Sequence, residues 1–274
     1  MKYEKSKSYQ NALGTITNIL PSVYFDAEKN NKKLSNVNLK IGVAVSGGRD
    51  SLALLIVTKR AINSYIKKHN ATIELVAIIV NHNLSSSSEK IAEEAKENCS
   101  KIGVKSEILN VTVNVEKDGY EAGARTARYD AMSEYVKLQN LDYVLLGHTS
   151  DDQFETVIFH LANLNKANLN KSNMNKANLN KANSGDANLD LHLFMNDSLL
   201  YNDVIFKRPF LSSVSRQDTT EICKIELIDF YDDPTNKYSD DDSYNSMRSL
   251  IREHITPGFK KVFGEDVCNR IAKH

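Results

Sequence analysis

Cysteine is scarce in this chain of 274 residues, which contains only Cys99, Cys223 and Cys268. The three cysteines are far apart in the sequence and form no C-x-x-C pair, so they indicate neither a disulfide framework nor a zinc or iron–sulfur site. Scattered, unpaired cysteines are typical of a reducing compartment. We therefore expect a cytoplasmic location, while the stroma or matrix of an organelle stays open because the polar N-terminus contains lysine and serine.

Long apolar runs and net charge are missing as well. No run approaches the roughly 18–20 apolar residues that cross a bilayer, and the opening MKYEKSKSYQ has no apolar core like that of a secretory signal. We therefore expect no membrane partner. The 35 basic residues balance the 35 acidic ones, so no overall positive field indicates a nucleic-acid partner. Local basic patches would have to bind any such partner.

The sequence does contain a regular alternation of apolar and helical segments. The apolar segments are short and rich in valine and isoleucine, as buried parallel strands are, and they occupy residues 39–46, 72–80, 105–113 and 142–148. Between them, SEKIAEEAKENCSKIG and YEAGARTARYDAMSEYVKLQN have helical spacing. We predict an α/β fold with a doubly wound, mostly parallel sheet and a small helical C-terminal segment. Sites in such folds lie at the carboxyl ends of the strands.

Composition divides the chain into a helical N-terminal extension (1–38), a core (39–161), an insertion (162–191), and the end of the core with the C-terminal segment (192–274). The insertion repeats every five residues, and ten of its 30 residues are asparagine. A five-residue period advances about 140° per repeat on an α-helix, so it builds no single helical face. We expect a solvated low-complexity insertion, with a short coil of pentapeptide repeats as the alternative.

The stretch VAVSGGRDSLALLIV, residues 43–57, places a glycine-rich loop between a predicted strand and a predicted helix. Gly47 and Gly48 would let backbone N–H groups approach an anion, and the N-terminus of the helix adds its dipole. Ser46 and Ser51 add hydroxyl donors. The G-x-x-x-x-G-K-S/T spacing of a Walker A loop is missing. Since glycine turns between strands and helices are common, geometry alone leaves a phosphate site and a plain turn open.

The stretch GHTSDDQFETVIFHL, residues 147–161, places acidic side chains just beyond the end of a predicted strand. Ser150 and Gln153 fit a capping box that would start a helix there. The dipole of that helix favours carboxylates near its start, where Asp151, Asp152 and Glu155 lie. They are candidates for holding a metal ion or contacting a base, and a well-capped helix without such a role is the alternative.

The stretch YEAGARTARYDAM, residues 120–132, carries charges on one side of a predicted helix. Glu121, Arg125 and Arg128 share a helical face through i+4 and i+3 steps. An exposed face with salt bridges has the same pattern, so the spacing alone leaves a structural role open.

The string SGGRDS after an apolar strand resembles the pyrophosphate loop of the N-type ATP pyrophosphatases, the PP-loop family. That resemblance implies a Rossmann-like fold, ATP and Mg²⁺ as cofactors, cleavage between the α and β phosphates, and transfer of AMP to a substrate oxygen. It implies that the leaving pyrophosphate is held by Ser46, Gly47, Gly48, Asp50 and Ser51, with Mg²⁺ at Asp50. Arg49 takes the variable position of this ATP-binding loop and receives no individual role.

The order of several further motifs resembles the tRNA(Ile)-lysidine synthetase family. A histidine follows the second strand, here His82, and an E-x-x-AR-x-x-RY helix follows at residues 121–129. The motifs H-x-x-DDQ-x-ET, RP-L/F-L with SR, and DP-S/T-N lie at residues 148–156, 208–216 and 233–236. There are three departures: the asparagine-rich repeat replaces a basic, glycine-rich loop, RSLIR replaces RNxIR, and the chain stops near His274 where longer members continue.

The resemblance implies a two-step reaction on the wobble cytidine of tRNA(Ile) with the anticodon CAU. ATP adenylates the cytosine O2, and free L-lysine then attacks C2 and expels AMP. We expect catalytic roles for Asp50, Glu121, Arg125 and Asp152, an ATP contact from His82, and tRNA or lysine contacts from Arg125, Arg128, His148, Asp151, Asp152, Glu155 and Arg208.

Three questions stay open at this stage. Another PP-loop enzyme that forms AMP and modifies tRNA, such as a thiolase, is one alternative, although thiolases of this fold generally use paired cysteines. The departures from the family pattern keep a catalytically inactive ATP- or tRNA-binding relic open as another. A homodimer would enlarge the surface for tRNA, and the sequence does not fix the oligomeric state.

Overall fold

The computed structural model describes residues 5–29, 38–83, 88–112, 120–171, 193–232 and 247–273. The chain divides into two compact units. The first contains Met1–Thr149 and Asp197–Asp232, and the second contains Ser150–Asn196 and Asp233–His274. The first unit holds the whole sheet, and the described elements of the second are helical. The four-part division predicted from composition stays a prediction.

The elements follow one another in an alternating α/β order. In chain order they are α1 (Lys7–Lys29), β1 (Asn38–Val45), α2 (Arg49–His69), β2 (Thr72–Asn81), α3 (Ser88–Ile102), β3 (Lys105–Asn110), α4 (Tyr120–Gln139), β4 (Tyr143–Leu145), α5 (Ser150–Lys171), β5 (Ser198–Tyr201), β6 (Val204–Lys207), α6 (Arg216–Ile225), α7 (Met247–Leu250), a π-helical turn (Ile251–Ile255), α8 (Thr256–Phe263) and α9 (Val267–Ile271).

The sheet has six strands in the order β3–β2–β1–β4–β6–β5. All neighbouring pairs are parallel except β5 with β6. Val43 of β1 lies opposite Ala77 on one side and Leu145 on the other. The strand order changes direction between β1 and β4, so the loops after these two strands meet at the kind of position where α/β sheets bind ligands. The predicted doubly wound, mostly parallel fold is confirmed.

Apolar side chains cover both faces of this sheet. On one face Ile41 and Val43 pack with buried residues of α1, α2, α3 and α6. On the other face Ile78 and Val144 pack with α4 residues such as Met132. Helix α1 contributes a stripe of buried residues at helical spacing, Tyr9, Ala12, Ile16 and Leu20.

The hairpin of β5 and β6 was not predicted. Each strand has only four residues, and Leu200 of β5 lies opposite Ile205 of β6 with both side chains exposed. Such short strands carry too few residues for alternation to identify them. Their place in the sheet comes from the parallel pairing of β6 with β4.

The second unit is built around α5. Phe154 of α5 is fully buried and packs against Phe259 of α8, with ring centroids 5.2 Å apart. Val267 and Cys268 of α9 complete this apolar cluster. The predicted helical C-terminal segment is therefore confirmed. Within the described residues, no helix combines the length and apolarity needed to cross a membrane.

Helix α5 continues to Lys171 and so includes the first ten residues of the asparagine-rich insertion. The five-residue period did not predict this helical start. Adding residues to an existing helix needs no new nucleus, and alanine, leucine and lysine are good helix formers. The expectations for the rest of the insertion fall on residues outside the described ranges.

Candidate functional site

The loop between β1 and α2 has the backbone shape that its two glycines allow. Gly47 has a φ of 82°, in the left-handed region that glycine adopts without steric cost. Gly48 is the N-cap of α2. The first N–H groups of a helix have no acceptor within the helix, so this end of α2 presents donors to an anion in the loop.

The hydroxyl of Ser51 closes the loop from inside. It donates to the carbonyl oxygen of Gly48 at 2.9 Å and accepts from the N–H of Ser46 at 3.1 Å. The Ser46 hydroxyl oxygen accepts from the N–H of Gly48 at 3.4 Å. Both serines predicted at this site therefore fix the shape of the loop.

Two residues far along the chain hold the backbone of the loop. The N–H of Tyr231 donates to the carbonyl oxygen of Gly47 at 2.9 Å. The thiol of Cys223, on α6, donates to the carbonyl oxygen of Arg49 at 3.5 Å. No sequence pattern assigned either residue to the loop, since only the fold brings them to it.

Asp50, the carboxylate of the loop, has a distant partner as well. The hydroxyl of Thr219, on α6, donates to Asp50 Oδ1 at 2.5 Å. The guanidinium of Arg49 is also close, with Nε 3.7 Å from the same oxygen. Thr219 is another residue that the sequence patterns missed, because 169 positions separate it from Asp50.

The chain leaving β4 passes very close to this loop. A Cβ atom added to Gly147 would lie 3.0 Å from the backbone carbonyl carbon of Asp50 and 3.0 Å from the backbone of Ser51. Only a glycine allows this approach without a shift of one backbone or the other. The quoted stretch at 147–161 contained Gly147, but its pattern gave the residue no role.

His82 and Arg128 lie together at the carboxyl end of β2. The two side chains approach with Nε2 of His82 3.5 Å from Nη2 of Arg128. Burial, and after it the positive charge of Arg128, lower the pKa of His82 below 6.5, so its imidazole is neutral at pH 7. Arg125 lies one helical turn away, its guanidinium 5.4 Å from the ring centroid of Tyr129. The structure thus brings together residues that the sequence placed in separate motifs.

The remaining predicted residues of the first unit are Arg208, His148 and Glu121. Arg208 follows β6 directly and is buried, and its N–H donates to the carbonyl oxygen of Asp197 at 2.7 Å. His148 is partly exposed in the segment between β4 and α5. Glu121 belongs to α4, and its side chain is not among those described. The DP-S/T-N motif at 233–236 lies outside the described ranges.

Two of the three predicted acids on α5 are engaged within the second unit. Asp151 is buried and accepts from the ammonium of Lys260 at 2.8 Å. Burial lowers the pKa of Lys260, but the hydrogen bond and charge of Asp151, together with the charges of Cys268 and Glu265, raise it overall. Glu155 is also buried and accepts two bonds from Arg252, at 2.9 and 3.0 Å. Asp152 is partly exposed.

Gln153 has a partner that the sequence did not predict. Its amide forms two bonds with the backbone of Met195, donating at 3.0 Å and accepting at 2.8 Å. Helix α5 begins at Ser150, so the capping-box pattern correctly located the start of the helix.

Comparison with known proteins identifies a family for this chain. The model of the ATP-binding PP-loop domain family matches residues 24–259. The tRNA(Ile)-lysidine synthase of Bifidobacterium longum strain NCC 2705 is 32% identical over 235 residues, which cover 84% of this chain and 53% of that protein. The tRNA(Ile)-lysidine synthase of Streptomyces coelicolor is 31% identical over 232 residues, covering 84% and 56%. The chain therefore spans about half the length of these curated relatives.

A solved structure shares the fold. The chain is similar to the U34-tRNA thiolase NcsA from Methanococcus maripaludis, solved with its 4Fe–4S cluster, with a TM-score of 0.59 and 16% identity. The match covers 93% of this chain and 76% of the thiolase chain. At this identity the likeness concerns the fold alone.

Proposed function

Because the chain belongs to the ATP-binding PP-loop domain family, we propose that it is an AMP-forming ligase that joins lysine to the wobble cytidine of tRNA(Ile) with the anticodon CAU. The observation that carries this proposal is the similarity to tRNA(Ile)-lysidine synthases over 84% of the chain. The loop at residues 46–51, with its carboxylate and the end of α2, supports the ATP-dependent part. The proposed location is the cytoplasm, where tRNA, ATP and free lysine are all present.

In the first step the cytosine O2 attacks the α phosphorus of ATP, and the bond to the departing pyrophosphate breaks. The backbone donors at the N-terminus of α2, together with the hydroxyl of Ser46, suit the binding of pyrophosphate, and Ser51 holds the loop in shape through its bond to Gly48. Mg²⁺ prefers oxygen ligands and commonly takes one or two protein carboxylates plus substrate phosphates, a requirement that Asp50 fits. When bound, Mg²⁺ supplies neutralisation of the phosphate charge.

The substrate base has to leave its stack to react. Sequence-specific RNA recognition commonly splays such bases out and holds them on aromatic or guanidinium planes. Arg128 offers a guanidinium for the base or its phosphate, and the neutral imidazole of His82 lies beside it. We assign Arg125 and Arg128 to the base or its phosphate, and His82 to ATP.

In the second step the ε-amine of lysine attacks C2, and the bond from C2 to the oxygen of AMP breaks. The amine must lose a proton to react, so a carboxylate has to accept it. Asp152 and Glu121, the two acids outside the loop at residues 46–51 for which the family motif predicted a catalytic role, are our candidates for the lysine amine. This assignment rests on charge type and on the family motif.

The first experiment measures incorporation of labelled lysine into a CAU-anticodon tRNA(Ile) transcript in the presence of ATP. We expect labelling with the wild type and none with Asp50→Ala. Asp203→Asn is the control, since that side chain is 93% exposed and asparagine tolerates the φ of 62° at this position. A transcript with a different wobble base should stay unlabelled.

Two other outcomes would each overturn part of the proposal. Conversion of ATP to AMP with tRNA but without lysine labelling would discard lysine as the nucleophile, and a sulfur donor would then be tested. Burial raises the pKa values of Cys99 and Cys223 to about 12, so neither thiol is primed for sulfur transfer. If a folded protein gives neither AMP nor lysine labelling, the inactive relic is favoured.

A further inference from the structure

Thr219 makes a bond that its own helix does not need. Its side chain is fully buried, and its hydroxyl oxygen lies 2.5 Å from Asp50 Oδ1 and 2.9 Å from the carbonyl oxygen of Arg216. A hydroxyl has one proton to donate, and an ionised carboxylate can only accept. The proton therefore points to Asp50, since otherwise lone pairs of the hydroxyl and of the carboxylate would face each other. A bond from a hydroxyl to an ionised carboxylate is charge-assisted.

Helix α6 is a firm support for this contact. Its first turn is fixed by a capping box, in which Ser215 accepts from the N–H of Asp218 at 3.2 Å and its own N–H donates to the Asp218 carboxylate at 2.8 Å. One turn beyond Thr219, Cys223 bonds to the carbonyl oxygen of Arg49. One face of α6 thus holds two consecutive residues of the loop, one by its backbone and one by its carboxylate.

We infer that Thr219 is a positioning residue, which fixes the direction of the Asp50 carboxylate so that magnesium pyrophosphate meets it already oriented. The inference rests on the proposed function, because it concerns the carboxylate assigned to Mg²⁺. A carboxylate that a neighbouring hydroxyl already holds in place loses less conformational entropy when it binds a metal. Losing the hydroxyl should therefore weaken metal-dependent ATP binding and leave metal-free binding unchanged.

The test measures ATP binding to the full chain by calorimetry, at a series of Mg²⁺ concentrations and without tRNA or lysine. In Thr219→Val the hydroxyl is lost and the shape is kept. We expect the Mg²⁺ concentration for half-maximal ATP binding to rise about tenfold, as for loss of a hydrogen bond to a charged group. Thr219→Ser should restore it to within about twofold of the wild type, because the donor returns.

Thr220 provides the matched control. It is the next residue of α6, and its hydroxyl donates to the carbonyl oxygen of Arg216 at 2.7 Å. Thr220→Val should leave the Mg²⁺ dependence unchanged. Equal shifts in Thr219→Val and Thr220→Val, or failure of Thr219→Ser to restore binding, would overturn the inference. If Thr219→Val does not fold, Thr219→Ala replaces it in the same comparison.

Asp50→Ala separates this inference from the proposed function. If ATP binding to Asp50→Ala no longer depends on Mg²⁺, while Thr219→Val needs the same Mg²⁺ concentration as the wild type, the positioning role fails and the metal assignment stands. If Asp50→Ala binds ATP with unchanged Mg²⁺ dependence, the metal assignment itself fails. In the Asp50→Ala background, Thr219→Val should add no further change.

Discussion

Gly147 determines how closely the chain leaving β4 approaches the loop after β1. The two strands are neighbours in the sheet, and their carboxyl ends meet where the strand order changes direction. A side chain at Gly147 would contact backbone atoms, which cannot rotate away as the end of a flexible side chain can. The missing Cβ of Gly147 therefore contributes to the shape of the loop after β1.

We predict that Gly147→Ala displaces the loop. The added Cβ would lie 3.0 Å from backbone atoms of Asp50 and Ser51, so the free energy of unfolding should fall by about 1–3 kcal/mol, as for other overpacked sites. ATP binding should weaken in parallel, as calorimetry would detect. Gly14→Ala is the control, because a Cβ there meets nothing within 4 Å, and alanine inside a helix should stabilise by up to about 1 kcal/mol. Equal behaviour of the two variants would contradict the close approach.

Residue patterns predicted the loop but not what holds it. Glycines, serines and an aspartate at a strand-to-helix junction have a local meaning, which a short stretch of sequence carries. Thr219 contacts Asp50, 169 positions away, and Tyr231 contacts Gly47 from a similarly distant part of the chain. No local pattern marks such partners. His82 and Arg128 were each predicted for a role, but their mutual approach follows from the order of the strands.

At the scale of whole elements, the apolar runs predicted the parallel strands because strands covered on both faces are apolar throughout. The edge hairpin of β5 and β6 lacks that signal, since part of it faces solvent. Helix α5 shows the reverse case. Its acidic first turn was predicted as a binding feature, whereas the structure uses Asp151 and Glu155 to bind Lys260 and Arg252 within the second unit.

We predict that Glu155 and Asp152 behave differently when neutralised. Glu155→Gln leaves the charge of Arg252 without its bidentate partner, so the free energy of unfolding should fall by about 2–4 kcal/mol while the KM for lysine stays unchanged. Asp152→Asn should raise the KM for lysine, because the proposed function places this carboxylate at the lysine amine. Denaturant unfolding and lysine titration of the ligase reaction distinguish the two. A raised KM in Glu155→Gln, at unchanged stability, would return Glu155 to the lysine site.

At the scale of the whole molecule, the balance of charge determines which interactions can contribute to RNA binding. With a formal net charge of zero, the chain has no overall field to attract a polyanion. In the proposed reaction, affinity for tRNA would then come from a few local cations and from contacts to bases. Since each phosphate contact releases counterions, the salt dependence of binding counts the phosphate contacts.

We predict that the salt dependence of tRNA binding distinguishes a phosphate contact from a base contact for Arg125 and Arg128. If Arg128 contacts a phosphate, Arg128→Gln should reduce the slope of log K against log salt by about 0.7–0.9. If it contacts the base, the slope should stay and affinity should fall by about 1–3 kcal/mol at every salt concentration. The same comparison applies to Arg125→Gln. Lys137→Gln removes an equal charge from the same helix and should change neither quantity. Wild-type affinity and slope in both arginine variants would remove α4 from the tRNA surface.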